Sequence, residues 1–299
     1  MNIPNWYENK LIKEYGEEIK NEILDGYASK RVMSFRVNTL KSSSIEIETE
    51  MKKNNINILK NPLIANSYYF EENEEIFRQI KNSEIYNEGK IYFQSFSSML
   101  PPIVLEARAG EDILDMTAAP GGKTTQIAAL TNNMANITAT EMNTARFERM
   151  KYNIEKQGAN VYCLKQDSRQ LSDFMKFDKI LLDAPCSGSG TLNEYTDFDK
   201  IFTEQLINRI KNTQDKLLEK AIKISKKDSI IVYSTCSILK EENEEILQKY
   251  IDSKMIEILP IEFKEDNMLK TLPTKTKETL CVKPNKFYEG FFVAKLRKI

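Results

Sequence analysis

Two cysteines stand in segments suited to chemistry. DAPCSGSGT (183–191) holds Cys186 in a turn rich in Pro, Gly and Ser, and STCS (234–237) holds Cys236. Each follows a short apolar run, DKILLDAP and SIIVYSTCS, that reads as a strand. A lone cysteine usually behaves as a small buried hydrophobe. Two at strand carboxyl ends, 50 residues apart (236 − 186), would face one crevice of a doubly wound sheet. The remaining pair, Cys163 and Cys281, makes no C-x-x-C spacing, so neither a disulfide scaffold nor a metal site is expected. In a reducing compartment all four are free thiols. The chain has no histidine, which excludes Ser-His and Cys-His machinery. Proton transfer then falls to Asp, Glu, Lys, Tyr, Cys or water.

A third segment, DMTAAPGGKT (115–124), follows a strand and opens a helix. Small residues and glycines let a ligand approach the backbone, and a helix N-terminus offers free N–H groups to a carboxylate. The GKT suggests a phosphate-binding loop, but that motif needs a glycine where Thr117 stands. Acids end the next two strands: Glu141 closes NITATE and Asp167 closes VYCLKQD. Singly, either acid reads as a helix cap. Together with 115–124 they fit a nucleoside, one acid for ribose hydroxyls and one for an adenine amino group.

These segments need a scaffold. Residues 4–27 read as one amphipathic helix, with Trp6, Ile12, Ile19, Ile23 and Tyr27 at near-helical spacing. SFRVN (34–38) and SYYF (67–70) read as strands, and Ser42–Ser44 as a helix start, giving an N-terminal α+β module over about 1–86. From about 110, EDILDM, NITATE, VYCLKQD, DKILLDAP and SIIVYSTCS alternate with helical stretches at 122–131, 144–157, 202–226 and 241–251. That alternation predicts an α/β domain with a mostly parallel, doubly wound sheet over 87–299. GFFVAKLRK (290–298) reads as a last strand.

Composition bounds the setting. With 41% hydrophobic and 29% charged residues over 299, a globular protein is expected. No apolar run approaches the roughly 20 residues of a membrane span, and MNIPNWYENK lacks a signal-peptide layout, so the expectation is cytoplasmic. A net charge of −1 advertises no global basic field. Local clusters stand at Lys30, Arg31, Arg36 and Lys41, and at Lys283, Lys286, Lys295, Arg297 and Lys298.

The paired DAPCSG and STCS, with DMTAAPGGKT, FRVNTLK (35–41), YFQSFSSMLPPIVLE (92–106) and GFFVAKL (290–296), resemble the Sun (nucleolar-protein/Sun) family of RNA 5-methylcytosine methyltransferases. The resemblance covers most of the chain. It implies a Rossmann-like class I methyltransferase domain at 87–299, preceded by an RNA-recognition-motif-like module at 1–86. It implies S-adenosylmethionine as cofactor, its methionine end lined by Ala118, Ala119, Pro120, Gly121, Gly122 and Lys123. Glu141 would take the ribose, Arg146 would close that side, Asp167 would hold the adenine, and Asp183 would border the site. Family members often carry cysteine at the Thr117 position and Asp at Glu141; a glutamate still takes two hydroxyls.

The resemblance further makes Cys236 the nucleophile and Cys186 the residue that assists product release. DNA cytosine methyltransferases attack through a P-C cysteine, but here P-C is followed by Ser-Gly, as in the RNA enzymes. A thiolate adding to carbon 6 of cytosine activates carbon 5 for methylation. Asp183 would bind the base edge and Lys123 would assist charge at the reacting face. The partner implied is RNA, ribosomal first and transfer RNA second, met by a monomer. Methylation of another substrate such as DNA, or a non-catalytic RNA-binding factor on the same fold, are the competing readings.

Overall fold

The computed structural model describes residues 3–196, 203–263 and 266–299. Phe202, the first residue of the helix expected over 202–226, lies outside them. The helix expected over 4–27 is two helices, α1 (Asn5–Tyr15) and α2 (Glu17–Ala28). Gly16, at φ 85°, breaks it, a conformation that side chains of L-residues avoid. Tyr7, Leu11, Ile23 and Tyr27 are the buried face. These helices belong to one compact unit with Leu182 onward; Arg31–Leu181 form a second unit.

Within the unit Arg31–Leu181, the first elements are β1 (Met33–Val37), α3 (Ser44–Lys53), β2 (Leu59–Lys60), β3 (Ser67–Phe70), α4 (Glu74–Asn82), α5 (Glu84–Asn87) and β4 (Ile91–Phe93). The strands form an antiparallel sheet in the order β2-β3-β1-β4, with Phe35 opposite both Tyr68 and Phe93. Phe35, Ile47, Met51, Tyr68, Phe70 and Ile91 make its core. Ser43 caps α3 reciprocally with Glu46, as the serine run predicts.

Next comes α6 (Phe96–Leu105), a helix despite Pro101 and Pro102. Pro102 has no N–H for the carbonyl of Ser98, and Gln94 Nε2 donates to that carbonyl instead, at 3.0 Å. There follow β5 (Asp112–Asp115), α7 (Gly122–Leu130), β6 (Asn136–Thr140), α8 (Thr144–Gln157), β7 (Val161–Leu164) and β8 (Phe177–Asp183), whose last two residues lie in the other unit. The four strands are parallel in the order β8-β5-β6-β7, with Ile113 opposite Ile137 and Lys179. Ile113, Leu114, Ile180 and Leu181 are all buried, as consecutive residues of a sheet covered on both faces must be.

The unit that starts at Leu182 adds α9 (Glu204–Ile224), β9 (Ser225–Thr235), α10 (Glu244–Asp252), β10 (Ile256–Leu259), β11 (Leu280–Val282) and β12 (Phe291–Lys298). This unit holds the antiparallel part of a fold expected to be mostly parallel: β12 runs antiparallel to β9, β10 and β11, so the α/β fold is mixed. A parallel pair needs a crossover of a dozen or more residues, usually helical. Eight residues separate β11 from β12, and they contain no described helix. Among the described residues, no helix is long and apolar enough to cross a membrane.

Candidate active site

In the unit Arg31–Leu181, the sequence-marked loop and both acids stand at the carboxyl ends of β5, β6 and β7. The loop leaves β5 with Met116 N bonded to Leu181 O and Ala118 N to Thr140 O, both at 3.0 Å. Thr140 Oγ1 also bonds Ser168 Oγ at 2.6 Å and donates to Met116 O at 2.9 Å. These bonds tie Ala118, the Glu141 end of β6 and the Asp167 end of β7 to one another. Gly121 is the N-cap of α7 and no side chain caps that helix start.

Glu141 is buried and its Oε1 accepts from Asn143 N at 2.8 Å. Arg146 reaches from α8 to donate to Ala119 O at 3.0 Å and lies 3.4 Å from Glu141 Oε2, so it spans the loop and the acid. Asp167 is gripped by Arg169, whose Nε and Nη2 reach both carboxylate oxygens; those bonds hold its carboxyl below the usual range. Lys123 Nζ donates to Ser98 Oγ at 2.9 Å.

In the other unit the two cysteines meet. Cys186 Sγ and Cys236 Sγ are 2.8 Å apart, each half-buried. Asp183 Oδ1 accepts from Ser234 Oγ at 2.8 Å, and Ala184 N donates to Ser234 O at 2.8 Å, so the Asp183 turn is laced to β9. Gly190 N donates to Cys236 O at 2.9 Å. Gly190 also packs so closely on Gly290 that a Cβ on it would lie 1.9 Å from the Gly290 carbonyl oxygen. Only glycine fits there, and the GFF segment thereby backs the Cys186 loop.

Sequence reasoning missed the group that joins the two loops. Glu242 is fully buried in the turn before α10. Its Oε1 accepts from Ser187 N at 2.8 Å, and its Oε2 from Ser187 Oγ at 2.5 Å and Ser237 Oγ at 2.6 Å. Ser187 follows Cys186 and Ser237 follows Cys236. Asn243 completes the clasp, accepting from Thr235 Oγ1 at 2.6 Å and donating to Ser237 O at 2.9 Å. Burial pushes the Glu242 carboxyl up, against the pull of these serines. The hydrogen bond to Cys236, then burial, then the charges of Cys236 and Glu242, push the Cys186 thiol well up, so Cys186 keeps its proton.

The expected basic clusters look different in place. Arg36 is not a surface cation: it is 4% exposed, its Nε donating to Gln94 Oε1 and its Nη2 to Gly122 O and Thr125 Oγ1. It braces the start of α7 from β1. Lys283 pairs with Glu22, Arg297 with Glu257, and Lys298 donates to the Ile222 and Ser225 carbonyls.

The sequence profile of the family described as 16S rRNA methyltransferase RsmB/F matches residues 102–297, and that of the RsmF/B-like ferredoxin-like domain matches residues 3–74. This chain belongs to the RsmB/F methyltransferase family. It is 34% identical over 309 residues to ribosomal RNA small subunit methyltransferase F of Shewanella piezotolerans, covering 97% of this chain and 63% of the relative. It is 35% identical over 274 residues to the enzyme of that name in Vibrio atlanticus, covering 89% and 57%. The chain therefore spans less than two thirds of these relatives. Among solved structures, a methyltransferase homolog from Pyrococcus horikoshii matches at TM-score 0.82 and 30% identity, covering 99% and 100%. NSun6 from the same organism, solved with SFG, matches at TM-score 0.84 and 25% identity, covering 99% and 98%. As an RsmB/F family member, the chain carries the Rossmann-like methyltransferase core that the sequence led us to expect, and its N-terminal domain, expected as an α+β module, is ferredoxin-like.

Proposed function

We propose that this RsmB/F family member is an S-adenosylmethionine-dependent methyltransferase acting on carbon 5 of a cytosine in RNA, ribosomal RNA before transfer RNA. It works as a cytoplasmic monomer, and residues 1–86 serve as its RNA-binding module. The single observation that carries this reading is the Cys186–Cys236 pair, two sulfurs 2.8 Å apart on serine-braced loops. The names of the relatives support ribosomal RNA as substrate.

The residues present fit the cofactor. The uncapped start of α7 offers N–H groups for a carboxylate. Buried Glu141 suits a ribose, and Asp167, its carboxylate held in place by Arg169, suits an adenine amino group. SFG, bound in the NSun6 relative, is an analogue of this cofactor. When bound, S-adenosylmethionine supplies a sulfonium methyl group.

The chain's own residues do the rest. Cys236 bonds to carbon 6 of the base, which loads electron density onto carbon 5. Asp183, steadied by Ser234, binds the base edge, and Lys123 assists charge at the reacting face. While Cys236 is charged, Cys186 holds its proton. Once Cys236 is bonded to carbon, that charge is gone, so Cys186 can give its proton to water and, as the thiolate, take the carbon 5 proton; the carbon–hydrogen pair re-forms the ring double bond and the carbon–sulfur pair leaves with Cys236 as a thiolate.

The cysteines are tested with substrate RNA, cofactor and denaturing gels. Cys236→Ala is expected to abolish methylation and leave cofactor binding intact. Cys186→Ala is expected to accumulate RNA covalently bound through Cys236. An adduct in Cys236→Ala and none in Cys186→Ala would overturn the assignment.

A further inference from the structure

A cavity of about 540 Å³ lies within the unit Arg31–Leu181, lined by β4, α8 and the α4–α5 segment. Three cations border it: Lys81, Arg149 and Lys156. None of the three has a carboxylate within ion-pair distance among the described residues, and the lining includes no Asp or Glu. Burial, then the like charges of Lys81 and Lys41, lower the Lys156 ammonium below its ordinary value. Like charges held together without a counter-charge leave a place for an anion.

The walls are aromatic. Tyr86 lies under Lys156, whose Nζ is 3.7 Å from the ring centroid, while Tyr152 on α8 is 62% exposed. Tyr92 projects from β4 beside them. Cations that meet phosphate and rings that stack on bases are the two components of single-strand recognition. Pro120 of the cofactor loop also borders the cavity, and Asn153 Nδ2 donates to Pro120 O at 2.8 Å. The Arg36 guanidinium lies over the Tyr92 ring at 5.1 Å and donates to Gly122 O. The cavity wall and the cofactor loop are therefore one hydrogen-bonded assembly.

We propose that this cavity binds one nucleotide of the single-stranded RNA substrate, its phosphate on Lys81, Arg149 and Lys156 and its base against Tyr152 and Tyr86. The proposal rests on the RNA methyltransferase reading and adds where the strand is held away from the reacting base. None of these residues was marked by the basic clusters of the sequence.

The probe is a fluorescein-labelled single-stranded oligocytidylate, its anisotropy followed with cofactor present, while rRNA methylation is assayed in parallel. Tyr152→Ala, a change at an exposed ring, is expected to weaken binding about ten-fold. The double variant Lys81→Gln/Arg149→Gln is expected to weaken binding and flatten its salt dependence. In both, KM for RNA rises while cofactor affinity by calorimetry stays at the wild-type value. Wild-type affinity in both variants overturns the proposal. So does weakening by the charge variant alone with full displacement of the probe by inorganic phosphate, which makes the cavity a plain anion site. If wild-type protein methylates no RNA, the broader reading fails; if it methylates and the variants match it, only the cavity assignment does.

Discussion

The two sulfurs lie 2.8 Å apart, and the hydrogen bond to Cys236, with burial, pushes the Cys186 thiol well up, so Cys186 keeps its proton. What keeps the pair so close is Glu242, because one carboxylate binds Ser187 on one loop and Ser237 on the other. Thiol geometry can be read without substrate by the rate at which the diazene oxidant diamide joins the two cysteines. Each sulfur loses one electron to the reagent, which is reduced to its hydrazine as the thiol protons pass to it. Glu242→Ala leaves Ser187 N, Ser187 Oγ and buried Ser237 Oγ without this acceptor and is expected to slow formation of the Cys186–Cys236 disulfide about ten-fold, or by ~1.4 kcal/mol in the barrier. Glu242→Gln keeps an acceptor and is expected to stay near the wild-type rate. Peptide mass mapping measures both, and equal rates in the Ala variant would remove Glu242 from this role. The cysteines were legible because turn-rich motifs follow apolar strands. Glu242 was not: in EENEE it reads as a helix start, and its partner Ser187 lies 55 residues away in sequence.

At the scale of elements, strong periodicity was legible and weak periodicity was not. The helix α8 and the apolar strands β5, β6 and β8 follow from their patterns, whereas α6 was hidden by its two prolines and β2 by being two exposed residues long. Arg36 shows the limit at one position, since a cation between apolar neighbours looks the same whether it faces solvent or a buried carbonyl. The packing of α1 makes a pH prediction. Glu14 Oε2 accepts from Lys240 N at 3.0 Å, and burial raises its carboxyl to about 7 against the pull of that amide and of Lys10. The unfolded chain takes up this proton only near its ordinary, lower value. Between the two values the folded state holds more protons, so stability is greatest below the unfolded pKa and declines as pH rises to about 7. Glu14→Gln keeps an acceptor for the amide and carries no charge. It is expected to stabilise the protein by roughly 2 kcal/mol at pH ~8, after allowing for partial exposure, and to give no gain near pH ~4. Urea denaturation at both values checks this; a gain of equal size at both would contradict it.

For the molecule as a whole, the grouping of the N-terminal helices with Leu182 onward was not legible, because it depends on contacts more than 160 residues apart in sequence. The methyltransferase profile begins at residue 102, so α1 and α2 look dispensable for chemistry. Their contacts argue otherwise. Tyr15 OH donates to the carbonyl of Ile238, two residues beyond Cys236, and Tyr27 OH donates to Ser189 O at 2.6 Å, three residues beyond Cys186. Gly26 presses on the Pro284 carbonyl, and Lys240 reaches the Glu14 carbonyl at 2.9 Å. Removing α1 and α2 would bare these carbonyls and the apolar surface beneath Tyr7 and Leu11, each lost buried bond costing about 1–3 kcal/mol. Deletion of residues 1–30 is therefore expected to abolish methylation and to raise amide hydrogen exchange across 184–191 and 234–239. Strands β5 and β6, in a unit with its own core, are expected to keep their protection, and cofactor binding to persist. Tyr15→Phe and Tyr27→Phe, which remove one hydroxyl each, should raise exchange in the Cys236 and Cys186 loops respectively. If the deletion leaves both cysteine loops protected, or strips β5 and β6 along with them, the helices do not brace the cysteines in the way their contacts imply.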